Sequence, residues 1–440
     1  MSSTGERDYD KYLNDLGRRR KPALLRTLDD KYAVAPPDTM KMAGGYCSPN
    51  IFPFKNISVE LKDGTSFSIE GDDLTEAVQY QPTGGFPPLR KQLKEIIDHF
   101  NKPPYDAETI IVSGHQDGIC KVFEMMLERG RPLFLADPSY ASGIDMMRPY
   151  VPDYRPIAED ADGIIPELLH KELEKVRIAS GGDYNKMGNL LYLVPHGSNP
   201  AGTSIPEERL KKIYKLACDY DLIILEDDPY FFHYYTEERP VSFLTMDTDQ
   251  RVIRVAGLTK LMTPGFRIAM ATGPKPLIQK IEYHMQITVG HVSSISQMIV
   301  HKMLNAWGMQ GFIKQVEIVR SYYRSVCEIA VNAAKKHLTG LVKFHVPKAG
   351  MFIWMEVVGV DDVTELVMTR AAARGVMVVP GSAFMAPRPG GPPANCIRVS
   401  FGTIDPNKID KAFKILAEVI REEVKHQKTF KNSKTNGIAA

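Results

Sequence analysis

The sequence predicts an α/β protein: a large domain on a mostly parallel sheet flanked by helices, then a smaller α+β domain. Three observations carry that expectation. Short, continuous apolar runs alternate with stretches of helical period from about residue 56 to about 310, as parallel strands buried on both faces do. The runs end in polar clusters, and ligands gather at the carboxyl ends of such strands. Beyond about residue 310 the alternation gives way to one long helical stretch and several spaced strands. The expected division is an N-terminal arm (1–55), a large domain (56–310), a small domain (311–424) and a polar, disordered tail (425–440).

Taken in order, the arm lacks sustained periodicity and carries Pro22, Pro36, Pro37, Gly44, Gly45, Pro49 and Pro53, so an extended segment packed over another part is expected. Thr109–Ser113 is a β-branched run closed by Gly114-His115-Gln116-Asp117-Gly118, and a helix follows with Ile119, Val122, Phe123 and Met126 on one face. Pro132–Ala136 is closed by Asp137-Pro138-Ser139-Tyr140. Leu190–Val194 leads to Ser198-Asn199-Pro200-Ala201-Gly202, after which Glu207–Tyr220 has helical period. Leu222–Leu225 ends at Glu226-Asp227-Asp228-Pro229-Tyr230, and Val252–Val255 stops just before Lys260.

In the second part, Phe312–Lys336 reads as a helix, followed by strands at Val342–Val346 and Met351–Val357 and a helix at Val363–Arg374. Strands at Val376–Val379 and Cys396–Phe401 complete it. The last helix opens with Asp405 as N-cap and Pro406 at its first position, with Ile409, Phe413, Leu416 and Ile420 on one face.

Composition narrows the function. The 440 residues are 43% apolar and 25% charged with a net charge of +2, and no long basic run points to nucleic acid. No stretch approaches the ~18 apolar residues of a membrane span. Cys47, Cys120, Cys218, Cys327 and Cys396 are scattered, which fits reduced thiols and neither a disulfide frame nor a metal site. Near the N-terminus Arg18-Arg19-Arg20-Lys21 is mixed with Glu6, Asp8, Asp10 and Asp15, unlike acid-poor mitochondrial presequences. The expected compartment is the cytoplasm, with the mitochondrion as the alternative.

The polar clusters share one chemistry. Lys260 offers an amine beside a strand end, Asp227 a carboxylate, Tyr230 a phenol, Asn199 an amide and Arg267 a cation. Pyridoxal 5′-phosphate needs a lysine for its covalent link, a carboxylate to keep its ring nitrogen protonated, and donors for its phosphate. Gly114–Gly118 lies at a strand-to-helix junction, where free N–H groups and the helix dipole favour an anion. Tyr140 suits stacking on a ring. Arg398, in the otherwise apolar Cys396-Ile-Arg-Val-Ser-Phe401, suits a bidentate bond to an α-carboxylate. Each residue alone also has an ordinary role as a cap, ion pair or packing group; their order along the chain joins them.

These residues sit in longer stretches that resemble the fold-type I pyridoxal-phosphate aminotransferases, and within them the kynurenine/2-aminoadipate aminotransferase group. The likeness runs from about Arg26 to Glu423 and includes Ala43-Gly-Gly-Tyr-Cys-Ser-Pro-Asn-Ile-Phe-Pro-Phe54, Cys120-Lys-Val-Phe-Glu-Met125, Val252-Ile-Arg254, Gly273-Pro-Lys-Pro-Leu277 and His345-Val-Pro-Lys-Ala-Gly-Met-Phe352. It implies a seven-stranded, mostly parallel large sheet and a homodimer with active sites at the subunit interface. It further implies that Lys260 forms the Schiff base, that Asp227 pairs with the ring nitrogen, and that Asn199 and Tyr230 contact the ring oxygen. Tyr140 stacks on the ring, while His115, Gln116, Thr259 and Arg267 stand at the phosphate. Tyr80, in Gln79-Tyr-Gln-Pro-Thr-Gly-Gly85, reaches the neighbouring subunit's phosphate. Arg398 binds the substrate α-carboxylate beside Asn199, and Arg26 and Gly45 belong to a mobile arm that closes over the substrate.

The chain departs from the group's pattern at His115 and Gly257, where serines are usual, at the conservative Thr259, and at Ala201 in Asn199-Pro-Ala-Gly202. The first two put the grip on the phosphate in question. The activity implied is ping-pong transfer of an amino group from an L-amino acid (2-aminoadipate, kynurenine, aromatic or aliphatic) to a 2-oxo acid such as 2-oxoglutarate. Two alternatives remain open: another reaction of the same cofactor, such as decarboxylation, β-elimination or oxidation, and a regulator in which such a domain senses a metabolite. The second normally carries a helix-turn-helix domain, for which the stretch before Arg26 is too short.

Overall fold

A computed structural model of the chain describes residues 7–437 except 34, 37, 41, 43, 44, 184, 185, 390 and 392–394. The arm is not simply extended: it contains the short helices α1 (Asp15–Arg19) and α2 (Leu24–Ala33). Asn14 caps α1, its side chain accepting from the Gly17 N–H at 2.8 Å and donating to two carbonyls of the following domain, Glu124 and Leu127. An antiparallel hairpin follows, β1 (Ile57–Glu60) and β2 (Ser66–Ile69), then α3 (Gly71–Val78) and α4 (Pro87–Phe100).

The main unit then alternates as expected: β3 (Glu108–Val112), α5 (His115–Met126), β4 (Pro132–Asp137), α6 (Ala141–Met147), β5 (Asp153–Asp160), β6 (Gly163–Ile164), α7 (Pro166–Ala179), β7 (Leu190–Leu193), α8 (Glu207–Asp219), β8 (Ile223–Asp228), β9 (Val252–Gly257), β10 (Ala269–Gly273) and α9 (Lys275–Thr288). These strands form one sheet of eight in the order β3-β10-β9-β8-β7-β4-β5-β6. The count exceeds the expected seven because the two-residue β6 folds back antiparallel on β5 at the edge. From β9 to β5 the sheet is parallel, whereas β10 is antiparallel to both neighbours. Every residue of β7, β8 and β9 is buried, which is why those runs are mainly apolar, and the charged residues they do carry (Glu226, Asp227, Asp228 and Arg254) are buried with them. The carboxylates expected after β8 are instead its last residues, since the strand runs on through Asp228.

The boundary expected at residue 310 falls inside α10 (Ser294–Leu338), a 45-residue helix interrupted only at Gly308, whose φ of 57° lies outside the helical region. The smaller sheet has the order β11-β12-β14-β13, from β11 (Val342–Phe344), β12 (Phe352–Val357), β13 (Val379–Pro380) and β14 (Cys396–Ser400). The segment expected as a plain helix at Val363–Arg374 is π-helical over Leu366–Ala371, and the strand expected from Val376 pairs only at Val379–Pro380. Asp405 caps α11 (Pro406–Gly437), accepting from the Asn407 N–H at 3.0 Å. That helix corrects the tail: 425–437 continues it, and 438–440 lie outside the described residues. The composition of the tail is polar, but Lys and Gln are good helix formers and no proline interrupts 425–437.

The two sheets meet where glycine permits it. A Cβ on Gly197 would stand 2.5 Å from the Gly350 nitrogen, so the loop after β7 and the turn before β12 touch backbone to backbone. Gly350 N donates to His233 O at 3.0 Å, and Ser139 N to Phe384 O at 2.8 Å, across the same seam.

Candidate active site

A cavity of about 320 Å³ opens at the carboxyl ends of β7, β8 and β9, at the N-terminus of α5, beneath the small sheet. It brings together His115, Gln116, Tyr140, Asn199, Asp227, Tyr230, Thr259, Lys260, Arg267 and Arg398, which are all the predicted site residues except Tyr80, Arg26 and Gly45. Val194, Pro229 and Phe352 complete its walls.

Asp227 forms the floor. Its Oδ2 accepts from the Tyr192 hydroxyl at 2.8 Å, while its Oδ1 is buried with no partner among the described residues. Burial pushes the carboxyl up to about 7; the Tyr192 bond opposes that shift and the Asp228 charge adds to it. A cationic N–H at Oδ1 would reverse it. Directly behind lies a sealed ionic cluster: Asp228 accepts from His196 Nδ1 at 2.9 Å and Arg254 Nη2 at 2.8 Å, and Glu226 takes Ser242 Oγ at 2.7 Å. Burial would raise Asp228, but His196 and Arg254 outweigh it and hold that carboxylate below its usual range. Adjacent carboxylates of one strand are therefore driven apart: Asp228 is already paired, and Asp227 is left with an acceptor to fill.

The anion-binding end is built around two glycines. Gly114, at a φ of 84°, precedes α5, and a Cβ there would stand 2.7 Å from Arg267 Cζ, so only glycine lets the guanidinium close over the helix start. The first N–H groups of α5 have no acceptor within the helix. A Cβ on Gly257 would come within 2.8 Å of His115 Cε1. The two departures from the serine pattern are thus in contact, and the imidazole lies where a side chain at position 257 would stand. At this end His115 Nε2 and Thr259 Oγ1 are buried with no partner among the described residues. Burial lowers His115 to about 3, so it stays a neutral donor and acceptor near neutral pH.

At the opposite end, Arg398 projects from β14 between the rings of Phe352 and Phe384, its Cζ 4.6 and 4.8 Å from their centroids. Nη1 donates to Asn199 Oδ1 at 2.9 Å, and Nε is buried with no partner among the described residues. Burial lowers its pKa, and the Tyr230 and Tyr140 hydroxyls counter that. Stacked and held on one side, the guanidinium can take a carboxylate on the other. Tyr230 packs edge-on against Phe352 at 5.8 Å.

Lys260 lies three residues beyond the end of β9 in the loop to β10. Burial lowers the pKa of its amine and Arg267 lowers it further, so the free base is more available than in water. Its carbonyl accepts from His233 Nε2 at 3.1 Å.

Tyr80, Arg26 and Gly45 stand apart. Tyr80 is 51% exposed, with the Arg26 guanidinium 5.6 Å from its ring centroid and the edges of Tyr46 and His291 against it. Gly45 is exposed, with nothing within 4 Å of where a Cβ would stand.

Sequence patterns missed Tyr192, His233, Phe352 and Phe384. Tyr192 left one usable signal, a hydroxyl in the apolar run Leu190-Leu-Tyr-Leu193 that must find a buried partner. The unpartnered atoms of Asp227, His115, Thr259 and Arg398 ring the cavity and match, in order, a pyridinium N–H, phosphate oxygens and a substrate carboxylate, so the residues fit pyridoxal phosphate.

Comparison with known proteins agrees. The family described as aminotransferase class I and II matches residues 53–416. The chain is 35% identical to the mouse mitochondrial kynurenine/alpha-aminoadipate aminotransferase over 426 residues, 95% of this chain and 100% of that protein. Among solved structures, the Pyrococcus horikoshii kynurenine aminotransferase superposes with a TM-score of 0.74 at 30% identity, over 80% of this chain and 84% of that one. A multiple substrate aminotransferase from Thermococcus profundus gives 0.75 at 28% identity over the same shares. With the family matched along most of its length and the cavity built for its cofactor, the chain belongs to the class I and II aminotransferases, enzymes that work through pyridoxal phosphate.

Proposed function

We propose that this aminotransferase takes the amino group from 2-aminoadipate, kynurenine and aromatic or aliphatic L-amino acids and passes it to a 2-oxo acid such as 2-oxoglutarate in a ping-pong cycle. One observation carries the reading: Lys260, the half-satisfied Asp227 and the stacked Arg398 face one cavity from three sides. When bound, pyridoxal phosphate supplies an electron sink for charge that develops at the substrate α-carbon. Arg398 fixes the α-carboxylate, Asn199 steadies Arg398, and both orient the α-hydrogen towards Lys260. Lys260 Nζ, lowered in pKa by burial, takes that proton and returns it as the amino group moves. Asp227 would keep the ring nitrogen of the bound cofactor protonated, and Asn199 and Tyr230 would hold its ring oxygen. Tyr140 would pack on the ring, and His115, Gln116, Thr259, Arg267 and the start of α5 would hold the phosphate.

The working unit is a homodimer in which Tyr80 reaches the partner's phosphate and the arm bearing Arg26 and Gly45 closes over substrate. The support is their placement outside the cavity of their own chain, with Tyr80 and Gly45 exposed and Arg26 half-buried beside the Tyr80 ring. The domain division at about 310 rests on the separate small sheet. The proposed compartment is the cytoplasm, on the acidic residues among the basic ones near the N-terminus. Among the described residues no helix is long and apolar enough to cross a membrane.

Absorbance of the cofactor-loaded enzyme tests the cycle. The visible band should bleach with L-2-aminoadipate or L-kynurenine and return with 2-oxoglutarate. A band unmoved by a broad panel of amino acids would overturn the proposal. Parallel double-reciprocal plots should accompany the spectra; intersecting ones would exclude ping-pong order.

A further inference from the structure

We propose that His233 is a positioning residue for Lys260: a neutral imidazole that holds the backbone of the lysine loop from the turn carrying Tyr230. The inference rests on Lys260 being the reactive amine. His233 is 1% exposed, and its own backbone is pinned without help from the ring, since its N–H donates to Tyr230 O at 2.8 Å and its carbonyl accepts from Gly350 N at 3.0 Å. The ring turns the other way, and Nε2 lies 3.1 Å from Lys260 O. A carbonyl can only accept, so Nε2 carries the proton and Nδ1 is a bare lone pair. That lone pair is buried and has no partner among the described residues.

This arrangement is poor packing chemistry. A leucine would fill the space without the unpaired Nδ1, and such buried acceptors are rare because they are costly; what leucine would lose is the donor to the Lys260 carbonyl. What the imidazole adds is one N–H, aimed at the backbone of the residue that must reach both cofactor and substrate. The loop is gripped at the next residue too: Gln315 Nε2, from α10, donates to Leu261 O at 3.2 Å. Two consecutive carbonyls are therefore tied to two different elements, one of them the turn that presents Tyr230. The ring also stands edge-on to Tyr230, centroids 6.2 Å apart, and tilted on Tyr323 at 5.2 Å, so it cannot swing away. Burial lowers its pKa to about 4, which keeps a second cation away from the Lys260 amine at neutral pH.

Two substitutions separate positioning from packing: His233→Leu removes the N–H and keeps the bulk, and His233→Gln returns an amide N–H near Nε2. For the holoenzyme, Leu should lower kcat by about ten- to a hundredfold with KM for the amino acid nearly unchanged, as a displaced catalytic group does. Gln should recover most of the loss. The second readout is the pH midpoint for capture of pyridoxal phosphate by the apoenzyme, which should move up in the Leu variant as the amine becomes more solvated. Equal kcat and equal midpoint in Leu and wild type would overturn the proposal, and so would a loss that Gln does not rescue with the midpoint unmoved. If the Leu protein does not fold, His233→Asn, whose amide is too short to reach the carbonyl, replaces it against Gln with the same criteria. A wild type that forms no borohydride-reducible link at Lys260 would overturn the functional reading and this proposal together; a wild type that forms it, matched by Leu, overturns this proposal alone.

Discussion

The floor and the rim of the site are built in opposite ways. On the floor, Asp227 and Tyr192 stand on strands with every residue buried and hold one another by a hydrogen bond, and Lys260 lies three residues beyond the end of a third such strand, its carbonyl held by His233. At the rim, Tyr80, Arg26 and Gly45 lie on exposed segments, and the contacts of Tyr80 are with Arg26, Tyr46 and His291, outside the cavity. The difference separates two jobs. A group that tunes protonation must sit in a fixed, dry environment, whereas a group that closes over a passing substrate must be free to approach it. The floor should therefore fail by chemistry and the rim by affinity or assembly.

The sharpest test of the floor is Lys260→Ala. Turnover should fall by on the order of 10⁴ or more while the fold is retained, because no other amine among the described residues lines the cavity. Circular dichroism alongside a turnover assay checks both halves; a variant with wild-type rate would remove the lysine from the mechanism.

Asp227 makes the second largest prediction, on stability. Its folded pKa is raised from 3.8 to about 7, so the folded state favours the protonated form. The associated stabilisation is complete below about pH 4 and is lost as pH rises through about 7, a difference of up to about 4 kcal/mol for the cofactor-free protein. Asp227→Asn removes that dependence. Urea unfolding of both apoproteins should show the variant gaining on wild type across this interval. Pyridoxal phosphate should flatten the difference, because a cation at Oδ1 draws the carboxyl down. A gap that does not change with pH would show that Asp227 is ionised in the apoprotein.

For the rim, Tyr80→Ala and Lys260→Ala proteins are each expected to be weak alone. Refolded together, they should recover about one quarter of wild-type activity, because half of randomly paired dimers carry one intact site. No recovery would place Tyr80 in its own subunit's site and dissolve the distinction between floor and rim.

Legibility in the sequence follows the same division. Lys260, Asn199 and Tyr230 could be found because each interrupts or follows a continuous apolar run, and a buried strand announces its end. Asp227 was found by the same rule, although it belongs to the strand; the Tyr192 hydroxyl at Oδ2 offsets part of the cost of burying it, and the Asp228 charge adds to that cost. Tyr192 and His233 were invisible because their partners, an aspartate 35 residues on and a carbonyl 27 residues on, are joined only by the fold. β10, as Ala-Met-Ala-Thr-Gly, has little β-branched signal and is held by two antiparallel neighbours.

The smallest effect tests whether His115 and Gly257 are one feature. Gly257→Ser alone should weaken cofactor binding, because its Cβ meets His115 Cε1 at 2.8 Å in a wall closed by Ala269. His115→Ser alone should also weaken it, by leaving a gap where the ring stood. The double variant restores both volume and hydroxyl donors, so its dissociation constant for pyridoxal phosphate should be tighter than the product of the single effects predicts, by about 1 kcal/mol of coupling. Fluorescence titration of the apoproteins measures all four corners of the cycle. Simple additivity would mean that the imidazole and the glycine were substituted independently, and that the phosphate end, unlike the floor, does not depend on the fit between these two residues.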